Sequence, residues 1–127
     1  MDADALEHYK RGLTLYGQKK YDEAVLAFDA ALELQADWND CLQAKGMAQM
    51  HGGLLKEALQ TLTRFTELAP EDPQGFTSLS MVWVRLENIE EAEKAQAQAR
   101  LLSWKQELKE NPNAPPPPDA GSMPVQQ

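Results

Sequence analysis

Residues Tyr21–Leu34 read YDEAVLAFDAALEL, and this pattern returns twice along the chain at a fixed distance. The segments LKEALQTLTRFTEL, from Leu55, and IEEAEKAQAQARLL, from Ile89, each follow the previous copy by 34 residues. Chance rarely keeps several positions in register over three copies, and periods of about 20–50 residues are typical of repeat architectures. The sequence therefore predicts three tandem structural units.

The spacing of apolar residues predicts two helices in each unit. Large side chains recur three and four residues apart, as one face of a helix requires. In the first unit they are Leu6, Tyr9, Leu13, Tyr16, Val25, Phe28 and Leu32. Helix breakers separate the two helices at residues 17–20, 52–53 and, more weakly, 87–88. No segment alternates with a period of two, so we expect an all-α fold without strands.

Small residues also recur in register with the repeat. They are Gly12, Gly46 and Ser80 in the first helices, and Ala24, Ala58 and Ala92 in the second helices. Small side chains let two helix backbones approach closely, and we expect Phe28 and Leu62 to fill the space beside them. The third unit has Gln96 at this place, which predicts a different contact there.

These positions resemble the tetratricopeptide repeat (TPR) family, which has the same period and the same pair of helices. The resemblance covers three repeats, at about residues 5–38, 39–72 and 73–104. It implies an α-solenoid of three helix-turn-helix repeats, to which the lack of Gly and Pro in residues 89–110 adds an extended C-terminal helix. The expected TPR domain spans residues 1–110.

The resemblance also implies a concave groove lined by the first helix of each repeat. Some family members use such a groove as a carboxylate clamp, but the matching positions here carry no positive charge. These positions are Tyr9, Leu13, Ala44, Gln74 and Ser78. The groove is expected to be apolar instead. Its candidate partner-binding residues are Tyr9, Leu13, Tyr16, Met47, Met50, Met81 and Val84.

An apolar groove indicates a protein-interaction site. Methionine is flexible and adapts to varied apolar partners. We therefore predict a non-enzymatic adaptor or scaffold that binds a peptide or helix with apolar anchors. A secretion-type TPR chaperone, which uses a comparable groove, is one alternative. The opposing interpretation is that some of these side chains only complete the packing between helices.

The final helix carries a second candidate surface. Residues 89–110 contain neither Gly nor Pro, so this helix is expected to continue beyond its repeat. Leu101, Trp104 and Leu108 form an apolar stripe along it. Two interpretations stay open: an assembly subunit that forms a homodimer through this stripe, or a stripe that folds over the third repeat.

Proline is concentrated after this helix, since six of the eight prolines lie in residues 111–127. This segment has too few large apolar residues to form a core. The run Pro115–Pro118 favours an extended polyproline II conformation. We expect a disordered tail without a partner of its own.

The composition excludes several classes of function. The 127 residues include 20 Asp and Glu against 12 Lys and Arg, a net charge of −8, which disfavours nucleic acids and anionic membranes as partners. The single cysteine, Cys41, excludes an internal disulfide. Neither a signal peptide nor an apolar run approaching about 20 residues is present, so we expect a cytoplasmic protein.

No catalytic, cofactor or metal site is expected. His8 and His51 have no companions at metal-ligand spacing, and Cys41 has no neighbouring base in the sequence. Glycine-rich phosphate loops, GxSxG turns and HExxH helices do not occur. The sequence therefore predicts binding instead of catalysis, with the acidic residues forming a solvated exterior.

Overall fold

Six helices follow one another in the order that the repeat predicts. In the computed structural model, which describes residues 1–118, they are α1 (Ala3–Gly17), α2 (Tyr21–Leu34), α3 (Asn39–His51), α4 (Leu55–Leu68), α5 (Pro73–Arg85) and α6 (Ile89–Glu110). The second helices of the three pairs, α2, α4 and α6, begin 34 residues apart. Residues 1–118 contain no strand, so the all-α prediction is confirmed.

The same turn connects the two helices of each pair. One residue in it adopts the left-handed backbone conformation, and these residues are again 34 positions apart. They are Lys19 with φ 62°, Gly53 with φ 86° and Glu87 with φ 61°. The hydrogen bond across the turn repeats too: the N–H groups of Lys20, Leu54 and Asn88 donate to the carbonyls of Leu15, Gln49 and Trp83 over 2.8–2.9 Å. The 34-residue repeat is therefore present in the backbone conformation of the turns as well as in the sequence.

Polar side chains define where several helices begin. The Asp2 carboxylate accepts the N–H of Asp4 at 2.8 Å and so caps α1. The Asp72 carboxylate accepts the N–H of Gln74 at 2.9 Å, and Pro73 occupies the first position of α5. Proline suits that position because its N–H would have no partner in the helix anyway. A helix thus begins at Pro73, whereas the boundary between the second and third repeats stays a prediction.

The chain divides into two compact units. The first, Met1–Ala69, holds α1 to α4. Its core is built from buried small and aromatic side chains, namely Ala24, Phe28, Ala31, Cys41 and Ala48. The second unit begins at Pro70, and in it α5 packs on α6 around Leu79, Val82, Ala92, Ala99 and Leu102. The extent of a single TPR domain over residues 1–110 stays a prediction.

Glycine permits the close helix contacts of the first unit. A Cβ atom on Gly12 would lie 2.6 Å from Cδ1 of Phe28, and one on Gly46 would lie 2.6 Å from Cγ of Leu62. Both distances are far inside van der Waals contact, and Phe28 and Leu62 are fully buried. The expectation that these two side chains fill the space beside the glycines is confirmed.

The third helix pair has a different contact at the equivalent positions. Ser80 stands where the other pairs have glycine, and its hydroxyl donates to the Ala92 carbonyl at 2.9 Å. The buried hydroxyl is therefore paired, as buried polar groups generally are. Gln96, in the place of Phe28 and Leu62, is exposed.

The segment after α6 differs from the expectation of a tail without a partner. The indole N–H of Trp104 donates to the carbonyl of Ala114 at 3.0 Å, and Ala114 is only 5% exposed. Part of this segment, at Ala114, Pro115 and Pro117, therefore lies against α6. Residues 119–127 lie outside the described part of the chain. The physical reason for this correction is that the indole offers both an apolar face and a hydrogen-bond donor.

Within residues 1–118, no helix combines the length and the apolar character that crossing a bilayer requires.

Candidate partner-binding site

A cavity of about 310 Å³ lies between α1 and α3 in the first unit. It is called the α1–α3 cavity below. Its lining comprises Tyr9, Leu13 and Tyr16 from α1, and Asp40, Gln43, Ala44 and Met47 from α3. Spacings of three and four residues place each set on one face of its helix. The cavity thus brings together residues of α1 and α3 that the TPR resemblance assigns to one groove.

Four of the seven predicted partner-binding residues line this cavity: Tyr9, Leu13, Tyr16 and Met47. Leu13 is 42% exposed, and the other three are partly buried. Part of their apolar surface is thus accessible from the cavity and is not buried in the core.

Met50 does not line the cavity, which corrects its assignment to the groove. Its side chain is fully buried. It follows Gly46 by four residues and so shares the face of α3 that contacts Leu62 of α4. Met50 is rotated by about 60° around the helix axis from Met47, and this rotation turns it from the edge of the cavity into the core.

Met81 and Val84 belong to α5, in the second unit, and are 39% and 52% exposed. A spacing of three residues puts them side by side on that helix. They are not part of the α1–α3 cavity, and their contribution to partner binding stays a prediction.

Tyr9 is fixed by two other aromatic rings. Its ring centroid lies 4.6 Å from that of Trp38 and 5.9 Å from that of Phe28. Burial, and then the charges of Asp40 and Cys41, raise the pKa of the Tyr9 phenol. The phenol therefore stays neutral, and it gives the cavity an apolar wall with a hydroxyl at its edge.

Tyr16 belongs to a second aromatic cluster. Its ring lies 5.6 Å from Tyr21 and 5.7 Å from His51, and Tyr21 stacks on His51 at 5.5 Å with an angle of 25° between the planes. Sequence analysis missed the supporting roles of Trp38 and His51. The signal for both was their position at the two ends of α3, next to the aromatic residues of the first repeat.

Charge is sparse around the cavity. Of the described residues that line it, Asp40 alone is an acidic or basic residue. The neighbouring Lys45 ammonium lies 2.7 Å from the Asp29 carboxylate of α2 and is held there. The site can therefore offer apolar contacts, one amide and one carboxylate, but no cation for an acidic ligand.

Comparison with known proteins bears on the repeat directly. Residues 5–38 match the model of the tetratricopeptide repeat family. This match covers α1, α2 and the connection to α3, with the boundaries that the sequence predicts. The first helix pair is thus similar to a tetratricopeptide repeat, and the fold of the described residues is TPR-like.

Solved structures share this TPR-type fold. The type III secretion translocator chaperone SycD of Yersinia enterocolitica, in an alternative dimer, has a TM-score of 0.77 and 19% identity, with 87% of this chain and 84% of SycD covered. A chain of the CopN–Scc3 complex has a TM-score of 0.77 and 22% identity, with 87% and 67% covered. At these identities the likeness concerns the fold alone. Among curated proteins, none matches the chain.

The thiol of Cys41 is poorly suited to act as a nucleophile. Burial, and then the charge of Asp29, raise the pKa of Cys41 to about 12. Its thiol donates to the Phe28 carbonyl at 3.5 Å. In the described part of the chain, His, Cys, Asp and Glu side chains form no group of three that could bind a metal ion.

Proposed function

We propose that this protein is a non-enzymatic adaptor or scaffold that binds a segment of a partner protein in the α1–α3 cavity. The observation that carries the proposal is the joint lining of the cavity by apolar side chains from two helices. These include Leu13 and Met47, which keep accessible surface although the core beside them is closed. Accessible apolar surface in a concave site is typical of partner recognition.

The chemistry of the lining defines the partner. Apolar side chains of a peptide or helix would enter between Leu13 and Met47 and bury surface that is otherwise hydrated. Asp40 and Gln43 at the same cavity can accept hydrogen bonds from backbone N–H groups or from a basic side chain. The expected ligand is therefore a peptide or helix with one or two aliphatic or aromatic anchors and no acidic residue next to them.

Met47→Glu tests the proposal. The variant puts a carboxylate where the anchor would be buried, and an unpaired charge in such a place is costly. Peptides are first selected from a displayed library against the full chain. Their affinity for the variant is then expected to fall at least about tenfold, which corresponds to about 1.4 kcal/mol. Fluorescence anisotropy measures the affinity, and circular dichroism checks that the helices persist.

Leu26→Glu is the matched control, because Leu26 lies on α2, is 68% exposed and does not line the cavity. This variant carries the same added charge and should bind as the natural chain does. If Met47→Glu and Leu26→Glu bind equally well, the cavity is not the binding site. Met81→Glu tests in the same assay whether α5 contributes to partner binding. If the double variant of Met47 and Met81 binds the peptides as the natural chain does, the predicted groove residues do not form the binding site.

A secretion-type TPR chaperone is a narrower form of this proposal. The similarity of the fold to that of a translocator chaperone supports it. The sequence identity is so low that the similarity concerns only the fold. A chaperone should keep an otherwise insoluble partner in solution, whereas an adaptor binds a partner that is soluble by itself. Each candidate partner protein is produced alone and together with this chain, and its soluble fraction is measured. A partner that is soluble only together with this chain indicates a chaperone.

Assembly through Leu101, Trp104 and Leu108 is the alternative of a different class. The engagement of Trp104 by Ala114 weakens it, since the indole already has a partner within its own chain. Analytical ultracentrifugation at micromolar concentration decides, and a monomer would end the homodimer version.

A further inference from the structure

We propose that the face of α6 around Trp104 is a binding site for proline-rich segments, and that residues 111–118 of this chain occupy it as an intramolecular ligand. The site belongs to the second unit. It is independent of the α1–α3 cavity and would give the protein a second interaction, with partners of different chemistry.

The hydrogen bond from Trp104 is the first observation that carries this proposal. The indole N–H donates to the carbonyl of Ala114, the residue directly before Pro115. Proline has no N–H, so a proline-rich segment can pair only through its carbonyls, and an indole N–H is a donor only. Aromatic side chains that offer a flat apolar face recognise polyproline segments in general.

The shape of the site is the second observation. A cavity of about 370 Å³ is lined by Trp104 and Ser103 of α6 and by Pro115 and Pro117 of the tail. Pro117 is half-buried, whereas Pro116 is exposed and does not line the cavity. Pro115 and Pro117 thus border the cavity, although Pro115 is itself exposed, and the remaining space means that the tail does not fill the site.

The departure of the third repeat from its pattern is the third observation. In the first two repeats, Phe28 and Leu62 close the contact between the two helices. Gln96 stands at this place on α6, is exposed and lines the cavity beside Trp104. The repeat therefore lacks its large apolar side chain at the point where the prolines approach α6.

The turn after α6 directs the tail back to this face. The N–H of Ala114 donates to the Asn111 carbonyl at 3.0 Å, and the N–H of Asn113 donates to the Asn111 side chain at 3.1 Å. Ala114 is nearly fully buried, so only a small side chain fits at the position whose carbonyl Trp104 binds. A short connection of this kind holds the tail at an effective concentration of order millimolar.

Ala114→Asp tests the proposal on the full chain. A charged side chain does not fit in the buried place of the methyl group, so the tail is released. The chain has three tryptophans, and nitrogen-15 NMR observes their indole N–H groups, with the Trp104 signal assigned from the Trp104→Phe spectrum. We expect this signal to move in Ala114→Asp towards the position of a solvated indole.

A synthetic peptide with the sequence of residues 111–118, NPNAPPPP, is then added to both chains. It is expected to return the Trp104 signal of Ala114→Asp to its position in the natural chain. The signal of the natural chain should not change at the same peptide concentration, because its own tail already occupies the face. The peptide NPNDPPPP is the negative control and should leave the signal in place.

Two outcomes would overturn the proposal. An identical Trp104 signal in the natural chain and in Ala114→Asp would mean that the tail does not occupy this face. If the peptide does not change the Trp104 signal of Ala114→Asp, the contact between the tail and α6 forms only within the chain, and the face is not a binding site for proline-rich segments. Pro117→Ala against Pro116→Ala repeats the test with milder changes, and only the first should weaken the contact. Met47→Glu should leave every result unchanged, which separates this site from the proposed function.

Discussion

Gly53 has the backbone angle on which the turn of the second repeat depends. Its φ of 86° lies in the left-handed region, where an L side chain costs about 1–2 kcal/mol. Lys19 and Glu87 occupy the equivalent turns with side chains present, at φ 62° and 61°. The conformation is thus a requirement of the turn, and glycine satisfies it with less strain.

Gly53→Ala is therefore expected to lower the free energy of unfolding by about 1 kcal/mol. Gly17→Ala is the control of opposite sign, since Gly17 lies within α1 and a Cβ there would have no atom within 4 Å. It should raise the free energy of unfolding by about 0.5–1 kcal/mol, because alanine favours the helix. Urea unfolding followed by circular dichroism measures both, and equal effects would contradict the argument.

Cys41 is expected to be an unreactive thiol in the folded chain. Burial raises its pKa from 9.0 to about 12, so the protonated form persists in alkaline solution. Because the thiolate is the nucleophile, alkylation by iodoacetamide at neutral pH should be about a thousandfold slower than for a free cysteine.

The pH dependence of this alkylation separates Cys41 from an exposed thiol. Between about pH 8 and about pH 10 its rate should keep rising about tenfold per pH unit, whereas the rate of an exposed thiol levels off above its own pKa. The chain unfolded in urea is the control and should react as a free cysteine does. A plateau below about pH 10 in the folded chain would contradict the raised pKa.

Single residues also mark where sequence reasoning reached its limit. The resemblance to the TPR family places Tyr9, Leu13 and Met47 in the groove, and they line the α1–α3 cavity. The assignment of Met50 was wrong, because it is rotated by only about 60° from Met47 around the helix axis and one sequence does not give the helix phase that closely.

At the scale of the helix pair, the contact between α1 and α2 depends on the absence of one methyl group. Gly12→Ala should destabilise the chain by about 1–3 kcal/mol, because its Cβ would overlap the ring of the buried Phe28. The intrinsic helix preference of alanine offsets about 1 kcal/mol of this loss at most.

Phe28→Leu provides the matched test of that contact. In the double variant the smaller side chain leaves room for the new methyl group, so its loss of stability should be smaller than the sum of the two single losses by about 0.5–3 kcal/mol. Thermal and urea unfolding of all four chains measure this coupling. Additive losses would mean that Gly12 and Phe28 do not act as one contact.

The elements themselves were largely predictable. Helix starts at Tyr21, Leu55 and Ile89 follow from the 34-residue register, and the start of α5 follows from Pro73. The packing of residues 111–118 on α6 was not predictable, because composition marks proline-rich segments as lacking a core of their own. Whether such a segment meets an indole N–H elsewhere in the chain depends on three-dimensional position.

For the whole molecule, the net charge of −8 describes the exterior. Among residues 1–118 no acidic side chain is buried, and only Asp29, Asp72 and Glu91 are partly buried. Several of the exposed carboxylates pair with nearby cations, as Asp37 does with Arg64 at 3.0 Å. Exposed pairs of this kind contribute little to stability. The charge therefore serves solubility more than it encodes a partner.

The salt dependence of partner binding tests this view of the charge. Raising the salt concentration from about 0.05 M to about 0.5 M shortens the screening length to roughly a third. A partner held by apolar contacts in the α1–α3 cavity, where Asp40 is the charged lining residue, should change its affinity by less than about threefold.

A basic partner steered by the acidic exterior would behave differently. It should lose about tenfold or more over the same range, mainly through a slower association rate. Asp40→Asn provides the matched variant, because it removes the charge of the cavity and keeps the size of the side chain. A strong salt dependence that persists in Asp40→Asn would assign recognition to the carboxylates of the exterior and not to the cavity.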